Sequence, residues 1–344
     1  MFLLGKLRTM MAIVLAKLAK KTSQWLGKGG GNIPGVVARK IDPDILKTLS
    51  KQVEKIIIVT GTNGKTTASN LLAAILSQTG EPMIHNKEGN NLLTGVTASF
   101  ITHASWTGKL KKNVRYAVFE VDESYVALVV RELTPAYVLI NNFFRDQLDR
   151  VGEMDALISK MKNALIDVNT TLVLNGDDPF VMQMQTLEKR KIYFGIYKDA
   201  YQFGSFSLTE TMACPHCHKE LSYSHIHYGH LGYYQCSCRY SRPAPDIEAT
   251  KIADDMQFEI NHEEKYELSI DGVYNIYNAL GPIAIAKAEN ISHEQIYNGL
   301  RSFKPVKGRM QTYMINGAPR LINLVKNAAG LDLSLSEALK HHEK

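Results

Sequence analysis

The sequence predicts an α/β protein with a parallel-sheet P-loop domain, an inserted four-cysteine zinc ribbon and a truncated C-terminal α/β piece. Three observations lead there. β-Branched apolar runs alternate with helical patterns along most of the chain. One of those runs ends in the glycine-bearing loop TGTNGKTT. All four cysteines fall between Cys214 and Cys238.

The N-terminal stretch MFLLGKLRTMMAIVLAKLAKKTSQ reads as a basic amphipathic helix. Its longest uncharged apolar run, MMAIVLA, is too short to cross a bilayer, and no clear small-residue cleavage site follows. A helix packed on its own domain and a helix resting on a membrane surface both fit. GKGGGNIPG reads as a flexible connection, and a helix is expected around Pro43 to Val53. KIIIVT then opens the alternation as a buried parallel strand.

Strand-like runs follow at RYAVFEV, AYVLIN, TLVLN and KIYFGI. Between them lie helical patterns at TTASNLLAAILSQ, ESYVALVVREL and EMDALISKMKNALI. Beyond the cysteines, MQFEINHEEKYELSI alternates like an antiparallel hairpin turning at NHEE. NIYNALGPIAIAKAE and SHEQIYNGLRSF read as helices, and PRLINLV starts a last strand-like run. The expected organisation is an N-terminal helix and linker (1–48), a central P-loop domain (49–304) with a ribbon insertion at about 211–241, and the start of an incomplete C-terminal domain (305–344), too short for its own core.

Hydrophobic content of 45% and charged content of 22% are ordinary for a soluble globular chain. The formal charge of +6 suits phosphate-rich substrates or a membrane surface and does not single out nucleic acid. Cysteines confined to one window argue against a disulfide framework and fit a cytoplasmic protein.

The strongest chemical signal is IIIVTGTNGKTTASN. A buried strand runs into a glycine turn, and Lys65, Thr66 and Thr67 begin a helix. Amides of such a turn and of the helix N-terminus can surround an anion. Lys65 would reach terminal phosphates, and the Thr66 hydroxyl would ligate Mg²⁺. The loop is a variant, because Val59 stands where the general P-loop has its first glycine and Gly61 takes over. Partners should come from neighbouring strand ends. Glu120 and Asp122 end one strand, Asn141 and Asn142 the next, with Asp146 and Asp149 close behind. Glu120 is the best Mg²⁺ candidate, since its strand is otherwise apolar.

Cys214 and Cys217 form a C-x2-C knuckle, and Cys236 with Cys238 a C-x-C pair. Four thiolates suit tetrahedral Zn²⁺, and a closed four-sulfur shell leaves no vacancy for catalysis. The site therefore reads as structural. His216, His218, His225, His227 and His230 lie on a hairpin expected to turn near Gly229 or Gly232, where they read as exposed rather than as substitute ligands. Only Lys219 among lysines and arginines lies between the outer cysteines, which argues against a nucleic-acid ribbon.

TGTNGKTT, FEVDES, NNFFRDQLDR, LNGDDP and NIYNAL, in that order, resemble the Mur ligase superfamily, whose members use ATP to activate a carboxylate as an acyl phosphate and attack it with an amine. NFFRDQLDR, the cysteine insertion after YFGI, and NLVKNAAG look like its amidating branch, the ligase-like subunits of lipid II isoglutaminyl synthase. The resemblance covers about residues 10 to 336.

It implies that Gly61, Thr62, Asn63, Gly64, Lys65 and Thr66 form the ATP phosphate loop and that Glu120 is a Mg²⁺ ligand. It places Asn278 near the nucleotide base and Arg309 near the phosphates, while Asp177 reads as structural. It further implies a GatD-type glutaminase partner and amidation of the D-glutamate α-carboxylate of lipid II. That substrate implies a cytoplasmic protein that can sit peripherally at the inner face of the membrane.

Four departures stand out. Gln147 replaces a common histidine, and Ala328 replaces a proline. Lys160 and Lys162 lie where relatives carry a carbamylated lysine, but read better as solvent-facing. The aspartate of the ammonia-using step falls beyond this sequence. A Mur-type ligase adding an amino acid, a zinc-ribbon NTPase acting on nucleic acid, and a non-catalytic scaffold are the competing readings.

Overall fold

The computed structural model describes residues 2–25, 31–87, 90–110, 113–144, 153–201, 212–304, 311–315, 318–322, 330–331 and 335. The chain opens with helices α1 (Phe2–Trp25), α2 (Ile33–Ile41) and α3 (Ile45–Ser50). Strand β1 (Val53–Thr60), helix α4 (Lys65–Ser77), β2 (Met83–His85), α5 (Leu93–His103), β3 (Val114–Glu120), the single turn α6 (Val126–Val129) and β4 (Tyr137–Ile140) follow. Next come α7 (Glu153–Leu165), β5 (Thr171–Asn175), a 3-10 turn at Val181–Thr186 and β6 (Lys191–Ile196). The cysteine region forms β7 (Ser222–Tyr228) and β8 (Leu231–Gln235). Then come β9 (Ile247–Ile252), β10 (Gln257–Ile260), β11 (Glu264–Glu267), α8 (Tyr274–Ala288), α9 (His293–Ser302), β12 (Gln311–Ile315) and β13 (Ala318–Ile322).

Nine strands make one sheet in the order β11-β10-β9-β6-β5-β4-β1-β3-β2. The seven from β9 to β2 run parallel, and β10 and β11 extend the edge antiparallel. Parallel strands bury both faces, so their sequences are nearly continuous apolar runs. Alternate residues of β1 serve opposite cores. Ile56 and Ile58 pack with the α1, α2 and α5 side, whereas Ile57 and Val59 pack with α4, α8 and α9. β1 has β3 on one side and β4 on the other, so the order reverses at its carboxyl end. Open α/β sheets bind ligands at such a switch point.

Several sequence expectations shift. The helix expected around Pro43 to Val53 stops at Ser50, because Val53 already pairs with Val114 in the sheet. The supposed linker GKGGGNIPG includes the start of α2, with Pro34 in its first turn. Gly35 is required there: a Cβ would lie 1.8 Å from the Thr94 carbonyl oxygen. ESYVALVVREL keeps only one helical turn. Val130 and Leu133 then turn inward, and Glu132 makes a bidentate pair with Arg39 of α2 at 2.6 and 2.7 Å.

The β10–β11 hairpin turns through Asn261 and His262, both at positive φ (53° and 61°), where NHEE placed it. The β7–β8 turn falls at Gly229 (φ 53°), and Gly232 lies inside β8. No helix among the described residues is long and apolar enough to cross a membrane.

Candidate active site and cysteine cluster

β1 delivers its chain into the phosphate-type loop at the switch point. Gly61 and Gly64 have φ of 139° and 76°, conformations that a side chain disfavours. Space forbids one as well, since a Cβ on Gly64 would lie 1.9 Å from Asn278 Oδ1. α4 begins at once with Lys65, and its first amides have no intrahelical acceptor. The residues Gly61 to Thr67 are thus brought together as the sequence suggests.

The end of β4 clamps this loop. The Thr62 amide donates to the Asn142 carbonyl (3.0 Å), and the Asn63 amide donates to Asn142 Oδ1 (2.8 Å). Asn141 Nδ2 and Asn142 Nδ2 both donate to the Asn63 carbonyl, at 3.1 and 3.0 Å. Asn141 Nδ2 also reaches Asn278 Oδ1 at 2.7 Å, which brings α8 against the loop. Asn278 therefore sits on the phosphate loop itself. Thr62 Oγ1 accepts from the Phe144 amide at 3.0 Å.

Lys65 is buried and folded back. Its Nζ donates to the Gly61 carbonyl (2.9 Å) and pairs with Glu123 Oε2 at 2.9 Å. Glu123 was not singled out in the sequence. Its neighbour Asp122, which was, instead accepts from the Ser124 amide at 3.1 Å.

Glu120 ends β3 opposite Val59 and is buried. Its amide donates to Asn86 Oδ1 (2.9 Å), its carbonyl accepts from Asn86 Nδ2 (2.8 Å), and Oε1 accepts from Asn91 Nδ2 (3.1 Å). Oε2 is buried with no hydrogen-bond partner among the described residues. A buried carboxylate oxygen left bare is costly unless a cation or donor arrives. Asn86 and Asn91 also escaped the sequence reading, although the asparagine-rich NKEGNN after β2 was a visible signal. His85, at the end of β2, bonds Asn70 Oδ1 (3.1 Å) and the Val118 carbonyl (3.0 Å). Burial lowers its pKa.

Thr66 and Thr67 are half-buried in the first turn of α4. Arg309, Asp146, Asp149, Gln147 and Ala328 lie outside the described residues. Lys160 faces solvent on α7 and Lys162 is half-buried.

The four cysteine sulfurs lie within 4.8 Å of one another, with Cys214–Cys238 at 3.7 Å and Cys217–Cys236 at 3.5 Å. All four are unpaired thiols, so the cluster could hold a metal ion. The backbone N–H of Cys238 draws the Cys236 thiol pKa down to about 6.

The hairpin beside the cluster rests on the NGDDP turn after β5. The Gly232 amide donates to the Asp177 carbonyl (3.0 Å), and the Tyr234 and Tyr240 hydroxyls donate to the carbonyls of Gly176 and Pro179. Asp177 is structural, as the sequence suggests. It is fully buried and accepts from Arg242 Nε (2.6 Å), Tyr277 (2.6 Å) and the Ile196 amide (2.8 Å).

Asp178 accepts from the Phe143 amide (2.8 Å), and His230 Nε2 lies 3.2 Å from its other oxygen. Tyr228 stacks on Phe144 (5.8 Å between centroids) and His230 packs on it (4.6 Å). His227 and His230 are thus buried rather than exposed, because the hairpin folds onto the domain instead of projecting from it.

The Mur ligase middle domain family matches residues 59–286. The chain is 38% identical over 332 residues to the MurT subunit of the glutamine-hydrolysing lipid II isoglutaminyl synthase of Staphylococcus aureus, covering 96% of this chain and 74% of that one. It is 35% identical to the Streptococcus pneumoniae MurT subunit, covering 94% of this chain and 72% of that one. A pseudomurein peptide ligase type C from Methanothermus fervidus superposes with a TM-score of 0.68 at 28% identity, over 85% of this chain and 57% of that one. MurF from Acinetobacter baumannii shares the fold at a TM-score of 0.62 and 18% identity, over 88% of this chain and 58% of that one. The chain thus spans about three quarters of these MurT subunits and under two thirds of these solved ligases. It belongs to the Mur ligase family of ATP-dependent carbon–nitrogen ligases, within the group of MurT subunits of lipid II isoglutaminyl synthase.

Proposed function

We propose that this chain is the ATP-dependent ligase subunit that amidates the D-glutamate α-carboxylate of lipid II to D-isoglutamine in peptidoglycan synthesis. The similarity to named MurT subunits along nearly the whole chain carries this reading. The site's own chemistry supports it. An amide cannot form directly from a carboxylate, because the leaving group would be oxide. Phosphorylation solves this: a carboxylate oxygen attacks the γ-phosphorus of ATP and ADP leaves. Ammonia nitrogen then attacks the carbonyl carbon, phosphate departs with the original carboxylate oxygen, and the nitrogen loses a proton.

The residues supply positioning and charge for these steps. The first amides of α4 and the Lys65 ammonium would receive the phosphates, with Gly61, Thr62, Asn63 and Gly64 shaping the loop and Asn141, Asn142 and Asn278 holding it. Glu120 Oε2, buried with no hydrogen-bond partner among the described residues, together with the Thr66 hydroxyl, would hold Mg²⁺, which neutralises phosphate charge when bound. Thr67 lies beside them in the same helical turn.

The cysteine cluster fits structural Zn²⁺. Tetrahedral thiolates about 2.3 Å from a zinc ion lie about 3.8 Å apart, close to the observed 3.5 and 3.7 Å. Its hairpin braces the NGDDP turn and Phe144, so its role is architectural.

A GatD-type glutaminase would supply ammonia, which fits the subunit status named for the relatives. Domain limits of 1–48, 49–304 and 305–344 are proposed with this reading, as is a cytoplasmic location near the membrane. The test is to co-express the chain with the glutaminase and assay glutamine- and ATP-dependent amidation of lipid II by mass. Folded, ATP-binding protein that leaves lipid II unchanged would refute the reading.

A further inference from the structure

α1 is apolar on two faces. Ala12, Ile13 and Ala16 point into the domain and are fully buried. The outward face carries Leu7, Met11, Leu15 and Leu18, each between 44% and 55% exposed, and ends in Trp25 at 87%. Their spacing keeps all five on one stripe. The inward face is fixed: Arg8 pairs with Asp42 at 2.8 Å, Thr9 donates to Asp42 at 2.6 Å, and Lys17 lies over the Trp106 ring at 5.1 Å. The outward stripe is therefore not a packing surface awaiting the sheet.

Two further features say what covers it. α1 holds no acidic residue; of its five lysines and arginines, Arg8, Lys17 and Lys20 bond Asp42, the Ala104 carbonyl and Thr102 of the domain, and Lys21 borders the outward stripe beside Trp25, with Lys6 in the first turns. Both tryptophans of the chain, Trp25 and Trp106, are exposed on or against this helix, Trp106 at 51%. An apolar stripe flanked by cations and indoles suits the headgroup boundary of an anionic bilayer, where leucines enter the acyl region and lysines meet phosphate.

We propose that the outward face of α1 docks the protein, lying flat, on an anionic phospholipid membrane. The proposal rests on the lipid-linked substrate only for its purpose; the surface chemistry stands by itself.

The test is co-sedimentation of the full chain with vesicles of phosphatidylcholine containing phosphatidylglycerol, against phosphatidylcholine alone. Binding to the anionic vesicles, weakened by salt and accompanied by a blue shift of tryptophan emission, is expected. Leu7→Glu with Leu18→Glu should cut that binding at least about tenfold without changing the melting temperature, because both side chains already face solvent. Lys21→Glu should cost about fivefold on anionic vesicles.

No vesicle binding, or binding that survives the double glutamate variant, overturns the proposal. A dimer in solution that the same variant disperses also overturns it and assigns the face to a second copy. The readout needs neither ATP nor lipid II, so its failure is separate from any failure of the amidation reading.

Discussion

The Lys65 ammonium lies 2.9 Å from Glu123 Oε2, with both groups largely sealed from solvent. The same ammonium donates to the Gly61 carbonyl of its own loop. Phosphate must therefore draw Lys65 away from a carboxylate that already neutralises it. Glu123→Gln should tighten ATP binding several-fold and cost about 1–3 kcal/mol of nucleotide-free stability. Titration calorimetry and thermal unfolding read the two effects. Weaker ATP binding in this variant would mean that Glu123 aims the lysine rather than restrains it. Lys65→Ala should abolish ATP turnover and leave the metal content of the cysteine cluster unchanged.

Glu120 Oε2 is buried with no hydrogen-bond partner among the described residues. Glu120→Gln keeps the side chain's shape but places an uncharged amide where the cation would sit. Mg²⁺-dependent turnover should fall by at least about a hundredfold, which is some 2.7 kcal/mol of lost stabilisation, while the fold is retained. A variant whose turnover and Mg²⁺ dependence match the parent would remove Glu120 from the cation site.

The sulfur cluster and the phosphate loop are joined through few residues. His230 and Tyr228 pack on Phe144, whose amide donates to Thr62 Oγ1. Cys217→Ser, or treatment with a strong chelator, should empty the proposed zinc site and loosen the hairpin. ATP affinity should then weaken about tenfold, with a smaller change in the maximal rate. Metal analysis and nucleotide titration check this. Apo protein that binds ATP as tightly as the metal-loaded form would limit the cluster to local stability.

His227 sits buried beside Asp177, and burial lowers its pKa from 6.5 to about 4. The folded state binds fewer protons here than the unfolded state. The stabilisation is thus complete above about pH 6.5 and is lost as pH falls towards 4. The loss is on the order of 3 kcal/mol. Denaturant unfolding at stepped pH should show it, and His227→Gln should flatten that part of the profile relative to the parent. Parallel profiles would contradict it.

What could be read from the sequence follows from range. The parallel strands were visible because burial on both faces makes runs such as IIIVT and TLVLN locally apolar. The loop and the cysteine knuckles were visible because their chemistry depends on spacing within a few residues. Long-range pairing was not. Nothing local distinguishes Glu123 from Asp122; only the return of β3 beside β1 gives Lys65 its partner. The hairpin histidines looked exposed because the groups they pack beside, Ile196, Asp178 and Phe144, lie far away in the chain. Gly35 looked like a linker residue because its need, the Thr94 carbonyl, comes from another helix.

Transfer of labelled oxygen tests the proposed chemistry most directly. Lipid II carrying heavy oxygen in its D-glutamate α-carboxylate would be incubated with the chain, the proposed glutaminase partner, ATP and glutamine. The expected result is heavy oxygen in the released inorganic phosphate, in step with amide formation and with ADP as the nucleotide product. Amide accompanied by unlabelled phosphate, or AMP in place of ADP, would contradict activation through an acyl phosphate at Lys65 and Glu120.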